Sequence, residues 1–169
     1  SFYISQTNSN MLIYAQGWTR YVEDFKDIGE WLNESLPKNT LVAAHANGAF
    51  SYYSDLPTID LLGLTDEHIA REGGKNRFST MQGHLSSDPD YVIARKPLII
   101  QEMGQGLEPG AIKKSAQNYG GEELYVPVSF IFKEHTHNKY ANFLFLRSEK
   151  DNLIKMLTAK YCSIEYVTY

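Results

Sequence analysis

A chain of 169 residues with 43% hydrophobic and 21% charged side chains fits one globular domain, large enough to bury a core without a disulfide or metal staple. A net charge of −4 excludes the strongly basic face that non-specific nucleic-acid or anionic-membrane binding requires, so no nucleic-acid partner is expected. The single cysteine, Cys162, cannot close an intrachain disulfide, and no apolar run approaches the roughly 18 residues of a membrane span.

Residues 1–18 are polar and aromatic without a clear period and read as a lead-in segment. Val22, Phe25, Ile28 and Leu32 then recur at helical spacing, with Trp31 and Leu36 beside them. Thr19 is the expected N-cap of that helix, Glu23 and Asp24 suit its positive end, and Pro37 stops it. Thr40 to Ala46 reads as a buried strand closed by Asn47-Gly48, and residues 49–54 as one helical turn. Thr58 to Leu62 is a second buried strand, ended by Gly63. Thr65 is placed to cap a short helix over Asp66 to Arg71. Residues 72–90 form a polar connection, and Tyr91 to Arg95 (YVIAR) reads as a third strand limited by Pro97. Leu98 to Met103 is a further strand or a loop crossing the sheet edge, and Gly110 to Asn118 a short helix. Leu124 to Glu134 and Tyr140 to Arg147 are aromatic-rich strands joined through His135 to Lys139. Asp151 to Lys160 is a helix with Leu153, Ile154 and Leu157 on one face, and Ile164 to Tyr169 a closing strand.

Strands alternating with helices predict an α/β fold. The expected architecture is a three-layer sandwich whose central sheet is partly parallel, with a Rossmann-like start and an aromatic-rich antiparallel C-terminal part, all in one soluble domain spanning 1–169.

No catalytic signature is complete. Gly104, Gly106 and Gly110 are spaced GxGxxxG, one residue too long for a dinucleotide fingerprint, and Pro109 removes a backbone donor. Gly73-Gly74-Lys75 lacks phosphate-loop spacing. His135 and His137 would share a strand face, but spacing places no third metal ligand. There is no GxSxG elbow. Asn33-Glu34-Ser35 matches a glycosylation acceptor yet falls within a predicted helix. The sequence therefore supplies no catalytic residue, no cofactor and no metal site.

The carboxyl ends of parallel strands share one edge, where ligands bind. The predicted strands end at His45, just after Asp60, and near Arg95, which gathers Asp60, Asp66, His68 and Arg71 near His45. The connection carrying Gly83-His84 crosses nearby, and Tyr52 and Tyr53 lie beside it. These eight residues (His45, Tyr52, Tyr53, Asp60, Asp66, His68, Arg71 and His84) are the candidate ligand-binding set. The alternative is a set of caps and salt bridges that hold loops.

The segment His45 to Ala70 (HANGAFSYYSDLPTIDLLGLTDEHIA) resembles the soluble C-terminal domains of polytopic bacterial membrane glycosyltransferases of the C superfamily, the arabinofuranosyltransferase-like and protein-mannosyltransferase-like members. The helix carrying Trp31 with its Leu-Pro end, Gly83-His84, and Tyr91-Val92-Ile93 followed by Pro97 extend the resemblance over about residues 20–100. Asp60 to Ala70 is its most specific part, and the family often carries Asp where this chain has His45. The resemblance implies a parent enzyme with many membrane helices before Ser1, a polyprenyl-phosphate sugar donor, and an acceptor on the extracytoplasmic (periplasmic) side of the cytoplasmic membrane. It also implies a catalytic carboxylate in the membrane part, outside this chain. The expected partners are then that membrane-spanning part and a glycan or lipid-linked acceptor. Against this stand a self-contained small-molecule or carbohydrate-binding module that uses the strand edge, and a purely structural interaction domain.

Overall fold

In the computed structural model the described residues are 9–45, 47–75, 86–102, 108–132, 140–160 and 164–169. The first element, α1, is a helix of 27 residues, Ser9–Ser35. Phe25, Ile28 and Leu32 recur on one stripe of it and are buried, with Trp31 and Leu36 beside them. Burial of each such side chain stabilises the fold by about 1.5–3 kcal/mol. The helix begins ten residues before the expected start, so Thr19 lies inside it and caps nothing. Trp18 continues the apolar stripe upstream of Thr19, and no proline interrupts the helix between Ser9 and Ser35.

The chain then builds a parallel layer. β1 (Val42–Ala44) is buried throughout and is followed by α2 (Asn47–Ser54), which starts two residues earlier than expected. β2 (Thr58–Asp60) pairs with β1 in parallel, Ala44 opposite Asp60. α3 (Glu67–Glu72) is capped by Asp66 rather than Thr65: the Asp66 carboxylate accepts the amide of Ile69. The connection after it contains a short antiparallel ribbon of β3 (Gly74–Lys75) and β4 (Ser86–Ser87).

The largest departure from expectation follows. YVIAR is not a strand but most of the helix α4 (Pro89–Arg95). Asp88 accepts the Tyr91 amide at the N-cap, and Pro89 sits in the first turn where its missing N–H costs nothing. This start signal outweighs the β preference of Val92 and Ile93. The third parallel strand is β5 (Ile99–Gln101), paired with β1 so that Ala44 lies opposite Gln101.

A 3-10 helix, Lys113–Tyr119, occupies the region expected to be helical. β6 (Tyr125–Phe132) and β7 (Tyr140–Leu146) form an antiparallel pair, and β7 also pairs antiparallel with β5. After α5 (Lys150–Thr158), β8 (Ile164–Thr168) pairs with β6. Pro127 is tolerated inside β6 because it lies just before Val128, where the β8 ladder begins, and on that side only its carbonyl is used, accepting the Tyr169 amide at 3.2 Å. The sheet order is β2-β1-β5-β7-β6-β8, parallel over the first three strands and antiparallel after.

Alternation along the strands sends side chains into two cores. Val42, Ala44, Ile99, Phe130 and Phe143 face α1, α2 and α5, whereas Ala43, Ile59, Ile100 and Leu144 face α3, α4 and the 3-10 helix. The result is the expected α/β three-layer sandwich with its aromatic-rich antiparallel part. Gly83, His84, Gly104, Gly106, His135, His137 and Cys162, singled out in the sequence, lie outside the described residues.

α1 and α2 approach most closely at Gly29. A Cβ there would lie 2.8 Å from the Phe50 carbonyl oxygen and 3.0 Å from the Ser54 nitrogen. Gly29→Ala should therefore destabilise the domain by about 1–3 kcal/mol through overpacking, although alanine is the better helix former. The check is the urea midpoint at unchanged m-value; an equal or higher midpoint would mean that the two helices do not pack this tightly.

Candidate functional site

The carboxyl edge of the parallel strands is where the fold concentrates polar side chains. β1 runs out into His45, β2 ends on Asp60, and β5 runs out into Glu102. Because Ala44 lies opposite Gln101, His45 and Glu102 are neighbours across the ladder, and the His45 amide donates to the Gln101 carbonyl at 3.1 Å. His45 Nδ1 lies 3.6 Å from a Glu102 carboxylate oxygen, with the two side chains 16% and 9% exposed. Each follows by two residues a side chain that faces the second core, Ala43 and Ile100, so both point to that face. There Glu102 meets Tyr119, from the last position of the 3-10 helix, whose hydroxyl hydrogen-bonds to it. Burial, followed by the Glu102 charge and that hydrogen bond, pushes the Tyr119 phenol well above its usual range, so it stays protonated as a donor. Below it, Tyr125 is pushed up to about 12 by burial and donates to the Pro97 carbonyl at 3.0 Å.

The crossovers make this position special. α2, which follows β1, packs on one face of the sheet, and the 3-10 helix, the next described helix after β5, packs on the other. Adjacent parallel strands followed by helices on opposite faces of the sheet make a topological switch point. His45 was legible as the end of a strand. Glu102 and Tyr119 were not, because the third edge position was assigned to Arg95. Arg95 is instead exposed at the end of α4, where it donates to the Tyr91 hydroxyl at 2.8 Å.

The other expected site residues are placed as follows. Asp60 is fully buried and accepts from the Leu62 amide at 3.0 Å and from the Thr65 amide and hydroxyl at 2.7 and 3.1 Å. It thereby staples the loop after β2, and Asn47 at the start of α2 also donates to the Thr65 hydroxyl. Asp66 is the cap of α3 and accepts from the Tyr91 hydroxyl. His68 bonds to Asp88 at 2.9 Å and stacks on Tyr91 with 4.0 Å between ring centroids, which locks α3 to α4. Arg71 is exposed and pairs with Glu67 one turn away. Tyr52 is 79% exposed and meets Tyr53 edge-on, while Lys26 lies over the Tyr53 ring. His84 lies outside the described residues. The structure thus sorts the set into a loop staple, a helix–helix lock, a surface aromatic pair and, at the strand edge, His45 with Glu102. A shallow groove of about 310 Å³ lies elsewhere, on the polar side of α1 between Gln16, Thr19, Arg20 and Glu23. Among the described residues, no group of three or more His, Cys, Asp or Glu side chains could hold a metal ion.

Fold and edge together define an α/β three-layer domain with a buried polar cluster at a parallel-strand switch point. The chain belongs to the DUF8728 family, described as a domain of unknown function, which it matches over residues 10–150. No curated protein matches the chain, and neither does any solved structure.

The α3–α4 lock has a definite pH signature. The Tyr91 amide, and after it the His68 ring, hold the Asp88 carboxyl below the usual aspartate value of 3.8. A carboxyl with a depressed folded pKa adds stability that is present above its unfolded value and is lost as pH falls through the folded one. Asp88→Ala should cost about 1 kcal/mol at neutral pH through loss of the cap, and less in acid below the aspartate range. Urea unfolding at both pH values reads this; equal losses at both would remove Asp88 from the acid response.

Proposed function

We propose that this domain is the extracytoplasmic accessory part of a membrane glycosyltransferase that uses a polyprenyl-phosphate sugar donor. In this reading it assists acceptor binding or closes over the active site, and it does not transfer sugar alone. The observation that carries the reading is the fate of the α1 stripe. Phe25, Ile28 and Leu32 are buried, but the same stripe continues into Trp18, Tyr21 and Val22, which are 52%, 45% and 51% exposed. Trp18 meets Tyr21 edge-on at 5.7 Å, and Tyr21 meets Phe25 at 4.6 Å, so one aromatic ladder runs from the core to the surface. A contiguous exposed patch of this kind marks an interaction surface, and Trp and Tyr are the side chains favoured where a partner meets the membrane–water boundary. The resemblance over residues 20–100 supports the same reading, with the catalytic carboxylate supplied by the membrane part. No helix among the described residues is long and apolar enough to cross a membrane, so on this reading the spans belong to that part.

The coding sequence upstream of Ser1 tests the proposal directly. Several spans of about 20 apolar residues are expected there, and their absence rejects the membrane-enzyme reading. In the full-length enzyme, Trp18→Ser with Tyr21→Ser should reduce transfer while leaving the fold of the domain intact by circular dichroism. Turnover of a polyprenyl-phosphate sugar by the isolated domain would sink the non-catalytic role.

A further inference from the structure

We propose that the outer edge of β8 (Ile164–Thr168) pairs with β8 of a second copy of this chain, antiparallel about a two-fold axis at Tyr166, so that the two sheets join into one. β8 ends the sheet: it pairs with β6 on one side, and no described strand pairs with it on the other. Exposed edges are ordinarily blunted by shortness, proline, lysine or a covering element. The opposite edge, β2, has such protection, being three residues long, entered from Pro57 and closed by the buried Asp60. β8 has little: it is five residues long, contains neither proline nor lysine, and is exposed from Glu165 to Thr168. Side chains on both of its faces reach solvent. Tyr166, beside Phe130 on the face that carries α1 and α5, is 49% exposed, and Val167, on the other face, is 38% exposed.

The hydrogen bonds of the strand set the register. The Tyr169 amide donates to the Pro127 carbonyl at 3.2 Å, so the backbone groups of Tyr169 turn toward β6. Along an antiparallel ladder that direction alternates. Glu165 and Val167 therefore also bond to β6, while the N–H and C=O groups of Ile164, Tyr166 and Thr168 point outward. This outward row is its own antiparallel complement. With the axis at Tyr166, that residue faces its own copy and Ile164 faces Thr168 of the second copy, so every outward N–H and C=O of the strand finds a partner. An axis at Glu165 or at Val167 leaves one outward residue of each copy unpaired. The axis at Glu165 also sets two carboxylates directly opposite each other, which destabilises a sheet. With the axis at Tyr166, Glu165 lies opposite Val167 instead, and the two Tyr166 rings form a cross-strand aromatic pair. This self-complementarity selects a second copy over an unrelated strand. The pairing uses none of the exposed patch on α1, so it stands or falls separately from the accessory-domain reading.

The test is sedimentation equilibrium of the 169-residue chain from about 10 µM to about 1 mM, because a one-strand interface falls at the small, weak end of specific contacts. A monomer–dimer equilibrium that stops at the dimer is expected. Amide hydrogen exchange at low and high concentration reads the register. Protection should rise with concentration at Ile164, Tyr166 and Thr168 and stay level at Glu165 and Val167, whose amides β6 already holds. Tyr166→Lys sets two ammonium groups across the axis and should weaken the dimer at least about tenfold. Val167→Lys places a lysine opposite Glu165 of the second copy and should keep the dimer. Trp18→Ser with Tyr21→Ser should leave it unchanged. A monomer throughout, association that continues past the dimer, or concentration-dependent protection that misses β8 would each overturn the proposal. So would equal loss in the two lysine variants, or a dimer lost in the Trp18 and Tyr21 variant but kept in Tyr166→Lys. Should Tyr166→Lys fail to fold, the exchange pattern of the wild-type chain decides alone.

Discussion

The burial of the α1 stripe against one face of the sheet is the constraint on which the rest of the fold depends, and Trp31 is its centre. Its indole N–H donates to the Leu157 carbonyl at 3.1 Å, which ties α1 to α5. Its ring meets Phe130 and Phe132 edge-on at 5.0 and 5.2 Å, which ties α1 to β6. Two residues earlier, Gly29 lets α2 approach to backbone contact. One helix therefore grips the parallel half through α2 and the antiparallel half through β6 and α5. On the other face the two halves meet along the short β5–β7 ladder, Ile99 with Phe145 and Ile100 with Leu144, and in the second core, where Ala43 and Ile59 share a cluster with Tyr125 and Leu144.

Much of the fold was legible where local chemistry and long-range packing agree. The strands over Val42–Ala44, Thr58–Asp60, Tyr125–Phe132 and Tyr140–Leu146 were readable because apolar runs there are bounded by turn residues. Tyr91 to Arg95 misleads because two β-branched side chains in five residues look like a strand, while the decisive signal, Asp88-Pro89, sits just upstream at the end of the stretch that reads as a polar connection. That one misreading moved the third parallel strand away from Ile99–Gln101 and hid half of the site. Glu102 gains its meaning only from the register that sets Ala44 beside Gln101. No spacing within the sequence announces a pairing between segments so far apart.

The two buried carboxylates on this edge, Asp60 and Glu102, are held in different ways. Asp60 is surrounded by donors from its own loop, the amides of Leu62 and Thr65 and the Thr65 hydroxyl. Its lone pairs are spent on holding the chain, and removal of the carboxylate would release the turn. Glu102 draws its named partners from distant segments, Tyr119 and His45. A carboxylate held by side chains from other elements shapes a surface between those elements, whereas one held by its neighbours in sequence shapes only a loop. Asp66 and Asp88 belong with Asp60, since both cap the helices that begin beside them.

The mixed direction of β5 has a consequence for the order in which the chain can assemble. β6 and β7 are sequence neighbours in an antiparallel pair, so they can form early at small entropic cost. The parallel strands need their crossovers in place before any ladder closes, and such non-local pairings are slow to form. During synthesis from the N-terminus, β5 emerges with β1 as a parallel partner but with its other side open until β7 arrives. For that interval the nascent chain presents the apolar edge of Ile99 and Ile100, the kind of unpaired edge that recruits other strands. The hairpin that closes it comes from the C-terminal third of the molecule, so a ribosome that stalls before Leu146 would release a chain with an exposed, adhesive strand.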